Sequence, residues 1–165
     1  MKRAFLFLFA MCLGFSAAAG AATKDEAAIK ALLDHWAQAV HDHDVNAIMA
    51  NYQPGDALVS YDLVPPLQYK GYDAYKKDYE EFLAQYDGPI TIEFRDLVIE
   101  TDSKLAFARG LERMTGTMKS GDHVDPWFRF TECYRKVNGH WLAVHDHVSV
   151  PVDLATGKAA LDLKP

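Results

Sequence analysis

Positions 145–147 read His-Asp-His, inside the segment "WLAVHDHVSV". On a strand, residues two apart share a face, so His145 and His147 point one way and Asp146 the other. Two chemistries compete here. The histidines could share a metal ion, with a third ligand from His35, His41, His43 or His123. Alternatively, the aspartate is the working group, as an acid or base on the opposite face. The pairing of this strand with the one before it decides what surrounds each. The connecting turn "KVNGHW" admits a two-residue Asn-Gly turn or a three-residue loop with Gly139 in the left-handed conformation. In the three-residue register Lys136 pairs with His140, Tyr134 with Leu142, Glu132 with Val144, Phe130 with Asp146 and Phe128 with Val148. That arrangement gathers Phe128, Phe130, Tyr134, Leu142, Val144, Val148 and Val150 on one face, whereas the two-residue register scatters them. A sheet with one buried face selects the first.

Asp146 and Glu132 then sit on the apolar face, and His145 and His147 lie opposite with Trp141, Ala143 and Ser149. Buried carboxylates are costly unless paired or protonated. Desolvation raises their pKa, while a neighbouring arginine lowers it. Arg109 and Arg113 share a face of the preceding strand with Phe107 and Leu111, so the expected cavity floor is Arg113, Glu132 and Asp146. Such a cluster is either a buried ion-pair network or a ligand pocket holding an acid or base. Nothing in the sequence fixes a third histidine in space, so a metal-dependent enzyme ranks last, and no cofactor is required. Cys133, with no basic partner in sight, reads as a packed thiol.

These strands need elements to position them. Ile29, Leu32, Leu33, Trp36 and Val40 recur at helical spacing within 25–44. A short second helix follows in "DVNAIMANY", capped by Asp44, and "DALVSYD" alternates as a short strand. The prolines of "VPPLQYKG" make that stretch a loop. A third helix spans "YDAYKKDYEEFLAQY", with Tyr72, Tyr75, Tyr79, Phe82 and Tyr86 down one side. That stripe packs on a sheet, or part of it lines a pocket. Strand-like stretches occupy 90–100, 105–118, 127–137 and 140–150. Three helices followed by a long antiparallel sheet is an α+β order.

The first residues carry Lys2 and Arg3, then "AFLFLFAMCLGF", then the small residues "SAAAGAA". This is the layout of a secretory signal peptide over 1–22, which leaves a single domain at 23–165 in the periplasm or outside the cell. The apolar run is too short for a permanent membrane anchor. Cleavage removes Cys12 and leaves Cys133 alone, so neither an internal disulfide nor a multi-cysteine zinc site is open to the mature chain. Losing Lys2 and Arg3 from 17 basic residues leaves 15 against 23 acidic ones, a net charge of −8. That argues against nucleic acid and anionic membrane surfaces as partners.

The order of elements, with "NGHWLAVHDHVSVP" and "DVNAIMANYQPGDALVSYD", resembles the nuclear transport factor 2-like superfamily over residues 24–151. The likeness is to its SnoaL-like and ketosteroid isomerase-like members. The last strand, a Trp followed by His-x-His-x-Ser, also resembles the calcium/calmodulin-dependent kinase II association domain. The resemblance implies a cone-shaped curved antiparallel sheet, packed on three N-terminal helices and enclosing a cavity. It also implies a homodimer formed through the sheet's outer face. Ketosteroid isomerases carry a base aspartate near Tyr61, with Asp62 beside it. Their oxyanion tyrosine falls at Trp36 and their second acid on the strand of Thr131 and Glu132, so the isomerase set is not intact. Arg113 matches a carboxylate-binding arginine of the kinase domain, but Glu132 and Val148 stand where that site's other groups would be.

Two functions remain. One is an exported domain that binds a small carbonyl or carboxylate compound and carries out acid–base chemistry of the isomerase, cyclase or hydratase type. Asp146, Glu132 and Asp62 would be its acids and bases. Trp36, Tyr52, Tyr61, Arg113, Phe130, Tyr134 and Val148 would contact the ligand, with Tyr52, Tyr61 or Arg113 stabilising negative charge. The other is a non-catalytic dimerisation or ligand-carrier module that pairs through Trp127, Thr131, Trp141 and His145.

Overall fold

The computed structural model describes residues 23–165. The signal segment expected over 1–22 lies outside the described residues. Helix α1 (Lys24–His41) starts at a reciprocal cap. The Thr23 hydroxyl accepts from the Glu26 amide at 3.1 Å, and the Glu26 carboxylate accepts from the Thr23 amide at 2.7 Å. Ile29, Leu33 and Val40 form its buried stripe. Helix α2 (Val45–Met49) is capped by Asp44, whose carboxylate accepts from the Ala47 amide at 2.9 Å. Strands β1 (Val59–Tyr61) and β2 (Tyr69–Lys70) precede α3 (Tyr72–Leu83). Then come β3 (Thr91–Thr101), β4 (Leu105–Thr117), β5 (His123–Val124), β6 (Trp127–Val137), β7 (His140–Ser149), β8 (Val152–Asp153) and β9 (Lys158–Ala159).

The main sheet runs β2-β1-β7-β6-β4-β3, with β5 on the end of β4. All its pairs are antiparallel except β1 with β7. The helices pack on one face. Two irregularities bend the sheet around them. In β3 the register shifts between Arg95 and Val98, with Asp96 at φ 53°. In β7 an extra residue, Val144, separates the pair Tyr134–Ala143 from the pair Cys133–His145.

The second irregularity corrects the expected hairpin. The turn is the two-residue Asn-Gly form. Val137 pairs with His140, and Asn138 and Gly139 take φ 50° and 85°. Uniform alternation from that turn would send Asp146 outward. The bulge reverses the phase, so Trp141 and Ala143 face the core before it and Asp146 faces inward after it. Glu132 therefore pairs directly with Asp146, and Phe130 with Val148. Trp141 leaves the outer interface assigned to it and is buried, its Nε1 donating to Asp25 at 3.0 Å.

The bend also crowds the inner side of β4. A Cβ on Gly110 would lie 2.9 Å from the Arg95 carbonyl oxygen and 3.1 Å from the Phe130 ring. Backbone cannot yield there, so Gly110→Ala is expected to cost roughly 1–3 kcal/mol. A urea titration would show a lower midpoint at unchanged slope; an unaltered midpoint would contradict the crowding.

The C-terminal tail packs against its own chain. It turns at the β8–β9 hairpin and returns to its own sheet. There Lys164 donates to the Asp125 carbonyl at 2.6 Å and Arg95 to the Pro165 carbonyl at 3.2 Å.

Candidate active site

A cavity of about 300 Å³ opens between the concave face and α1–α3. Its walls are apolar and aromatic: Leu33 and Trp36 from α1, Tyr75, Tyr79 and Phe82 from α3, and Ile92, Phe94, Phe128, Phe130 and Val148 from the sheet. Three carboxyl groups project into it from adjacent strands. Glu112, Glu132 and Asp146 are only 8%, 8% and 7% exposed. Asp62, Asp78 and Glu81 add acidic groups along its lining, which contains no lysine, arginine or histidine.

A chain of hydrogen bonds ends at Asp146. The Trp36 indole N–H can only donate, and it does so to the Tyr79 hydroxyl at 2.9 Å. Tyr79 and Tyr52 hydroxyls are 3.0 Å apart, and Tyr52 reaches Asp146 Oδ2 at 3.5 Å. Tyr75 donates to the same oxygen at 2.7 Å. Either hydroxyl of the Tyr52–Tyr79 pair can be the donor, and the firm donation to Asp146 is the one from Tyr75. Both hydroxyls use Oδ2, and Oδ1 has no side-chain partner among the described residues. Burial raises the pKa of Asp146, while Tyr75, His145 and Tyr52 pull it back down. Burial raises Glu132 further, with the Asp146 charge beside it, and the Tyr134 hydroxyl opposes this by donating to Oε2 at 2.5 Å. Both adjacent buried carboxyls are thus held above their ordinary range, and the tyrosine hydroxyls on Asp146 favour it as the first of the two to ionise. Burial, reinforced by Asp146 and Asp62, pushes Glu112 up to about 8. Half-buried Asp62, near the mouth, is raised to about 6 by the same desolvation.

Several expected site residues lie here: Asp146, Glu132, Asp62, Trp36, Tyr52, Phe130 and Val148 all line the cavity. Three do not. Arg113 points to the outer face, where its guanidinium holds Asp125 at 2.5 Å and Glu93 at 3.1 Å. Phe107 and Leu111 on the same side of β4 resembled a core face, but the inward residues are the small Ala106, Ala108 and Gly110, followed by Glu112. Tyr61 is 41% exposed and stacks edge-on against His145 and His147, outside the cavity. Tyr134 is buried behind Glu132 and supports it without forming the wall.

Glu112 was missed. Its signal is the run of small residues before it, which marks the crowded concave side. Tyr75 and Tyr79 are the part of the α3 stripe that enters the pocket. Among the described residues no group of three or more histidine, cysteine or carboxylate side chains is arranged to hold a metal ion.

The cone of sheet and helices matches known proteins. The family model of the SnoaL-like domain matches residues 29–153. The chain belongs to the SnoaL-like domain family. Among solved structures, a nuclear transport factor 2-like protein of unknown function from Pseudomonas putida KT2440 is 35% identical. The match covers 88% of this chain and all of that one, with a TM-score of 0.78. A candidate calcium/calmodulin-dependent protein kinase II association domain from Xanthomonas campestris is 22% identical over 87% of this chain and 95% of its own, at a TM-score of 0.68. A ketosteroid isomerase-like protein from Erwinia carotovora atroseptica is 23% identical over 74% and 93%, at 0.63. Those two share the fold. Among curated proteins, none matches the sequence. No helix among the described residues of this SnoaL-like domain is long and apolar enough to cross a membrane.

Proposed function

We propose that this SnoaL-like domain is exported and binds a compact carbonyl compound, on which it carries out acid–base chemistry of the isomerase, cyclase or dehydratase type. The observation that carries this reading is the pairing of Asp146, which accepts from the Tyr75 hydroxyl, with the buried Glu132 carboxyl beside it in an aromatic cavity. Asp146 Oδ1 takes a proton from the carbon next to the carbonyl. The Glu132 carboxyl, positioned by Tyr134, donates to the oxygen that gains negative charge. A ligand bearing its own carboxylate fits poorly, because Arg113 is turned away and no other cation lines the walls. The ketosteroid isomerase-like relative supports the class of reaction. Export is supported by the basic, apolar and small-residue pattern of 1–22. Pairing with a second copy is proposed through the outer face around Trp127, Thr131 and His145.

Deuterium uptake tests the chemistry before the substrate is known. Small cyclic ketones and enones are incubated with the purified chain in D2O and followed by NMR. Exchange beside the carbonyl is expected above the buffer rate, and to fall about 10²–10⁴-fold in Asp146→Asn. Exchange at the buffer rate for every compound, or equal rates in the variant, would overturn the proposal.

A further inference from the structure

The acid–base pair leaves Glu112 unused. Its side chain is 8% exposed, faces the cavity, and no hydrogen bond contributes to its environment. Its cross-strand partners are Phe94 on β3 and Phe128 on β6, so phenyl rings flank it on both sides. Trp36 packs near Phe94, with ring centroids 6.3 Å apart. A carboxyl between aromatic neighbours that line the same cavity attracts one class of ligand group. The faces carry negative charge density and the carboxylate completes it, which suits a protonated or quaternary nitrogen on an apolar frame. A neutral hydroxyl could satisfy the carboxyl but gains nothing from the rings. An anion is repelled by Asp146, Asp62, Asp78 and Glu81 around the same cavity.

We propose that Glu112, Phe94, Phe128 and Trp36 form a subsite for an organic ammonium group, so that the ligand of this cavity carries a cationic nitrogen. The proposal rests on the reading of the cavity as a small-molecule site. The incoming cation supplies the partner Glu112 lacks. Glu112 then gives up its proton to solvent and pairs as a carboxylate, so charge balances on binding.

The probes are benzyltrimethylammonium, benzyl alcohol and benzoate, compared by titration calorimetry against the same protein. Benzyltrimethylammonium is expected to bind roughly tenfold or more tightly than the alcohol, and benzoate more weakly than either. Glu112→Gln, of nearly the same shape, should abolish the preference. Glu93→Gln, on the outer face, should keep it. Equal binding of cation and alcohol, or a preference that survives Glu112→Gln, would overturn the inference. Asp146-dependent ketone exchange without any cation preference sinks the subsite alone. Cation preference without exchange sinks the acid–base chemistry and leaves the subsite standing.

Discussion

Glu112→Gln makes the protein more stable in alkaline solution. In the unfolded chain Glu112 ionises near its ordinary 4.5, and in the fold burial moves this to about 8. Between those values the folded state holds a proton that the unfolded state has released. Stability therefore falls as pH rises from 4.5 to about 8, and levels off above. Glutamine never ionises, so the variant escapes that loss. At about 1.36 kcal/mol per pH unit, the variant should exceed the wild type by roughly 3–5 kcal/mol at alkaline pH. In acid the two should agree within about 1 kcal/mol, since a protonated carboxyl and an amide are close in size and polarity. Urea unfolding across this range checks the expectation. Parallel curves would mean that Glu112 reaches water in the folded state.

Asp146→Asn separates stability from chemistry. If Asp146 were half of a buried ion pair, its loss would strand a cation and destabilise by roughly 3–5 kcal/mol. No such cation lines the cavity. The amide oxygen can still accept from Tyr75, and Glu132 no longer faces a negative charge. The variant should therefore be as stable as the wild type within about 1 kcal/mol, or more stable. Proton exchange on ketones, which needs a base at this position, should fall about 10²–10⁴-fold. Unfolding at neutral pH beside the exchange assay reads both. Large destabilisation with intact exchange would make Asp146 a structural residue.

What the sequence disclosed followed from periodicity. The helical spacing of Ile29, Leu33 and Val40 and the capping aspartate Asp44 reappear as α1 and α2. The inward placement of Asp146 was reached by a wrong route that gave the right side. The three-residue loop supposed in the hairpin and the real two-residue turn plus bulge both put one extra residue before Asp146. They differ in whether Leu142 and Val144, or Trp141 and Ala143, face the core, and in the partner of Asp146, which is Glu132 and not Phe130. A bulge is set by bending of the whole sheet, which no local pattern reports. Arg113 and Glu112 show the other limit. Bulky Phe107 and Leu111 suggested a buried face, yet on the concave side of a bent sheet room is short, and small residues mark the interior. Tyr61 precedes Asp62 directly, so the two side chains part to opposite sides. Asp62 turns to the cavity and Tyr61 to the histidines. The unexpected strand β2 lies just beyond two prolines that argued for a loop, and it pairs back across them with β1.

The three cavity carboxyls are expected to ionise at different pH, all above the ordinary range. NMR titration of protein labelled with carbon-13 at the glutamate and aspartate carboxyls measures this directly, with Glu112→Gln and Asp146→Asn used for assignment. The Glu112 signal is expected to titrate near 8, and Glu132 and Asp146 are both expected to titrate above the ordinary carboxylate range, with Glu132 the higher of the two. Glutamate signals that all titrate around the ordinary 4.5 would contradict that expectation.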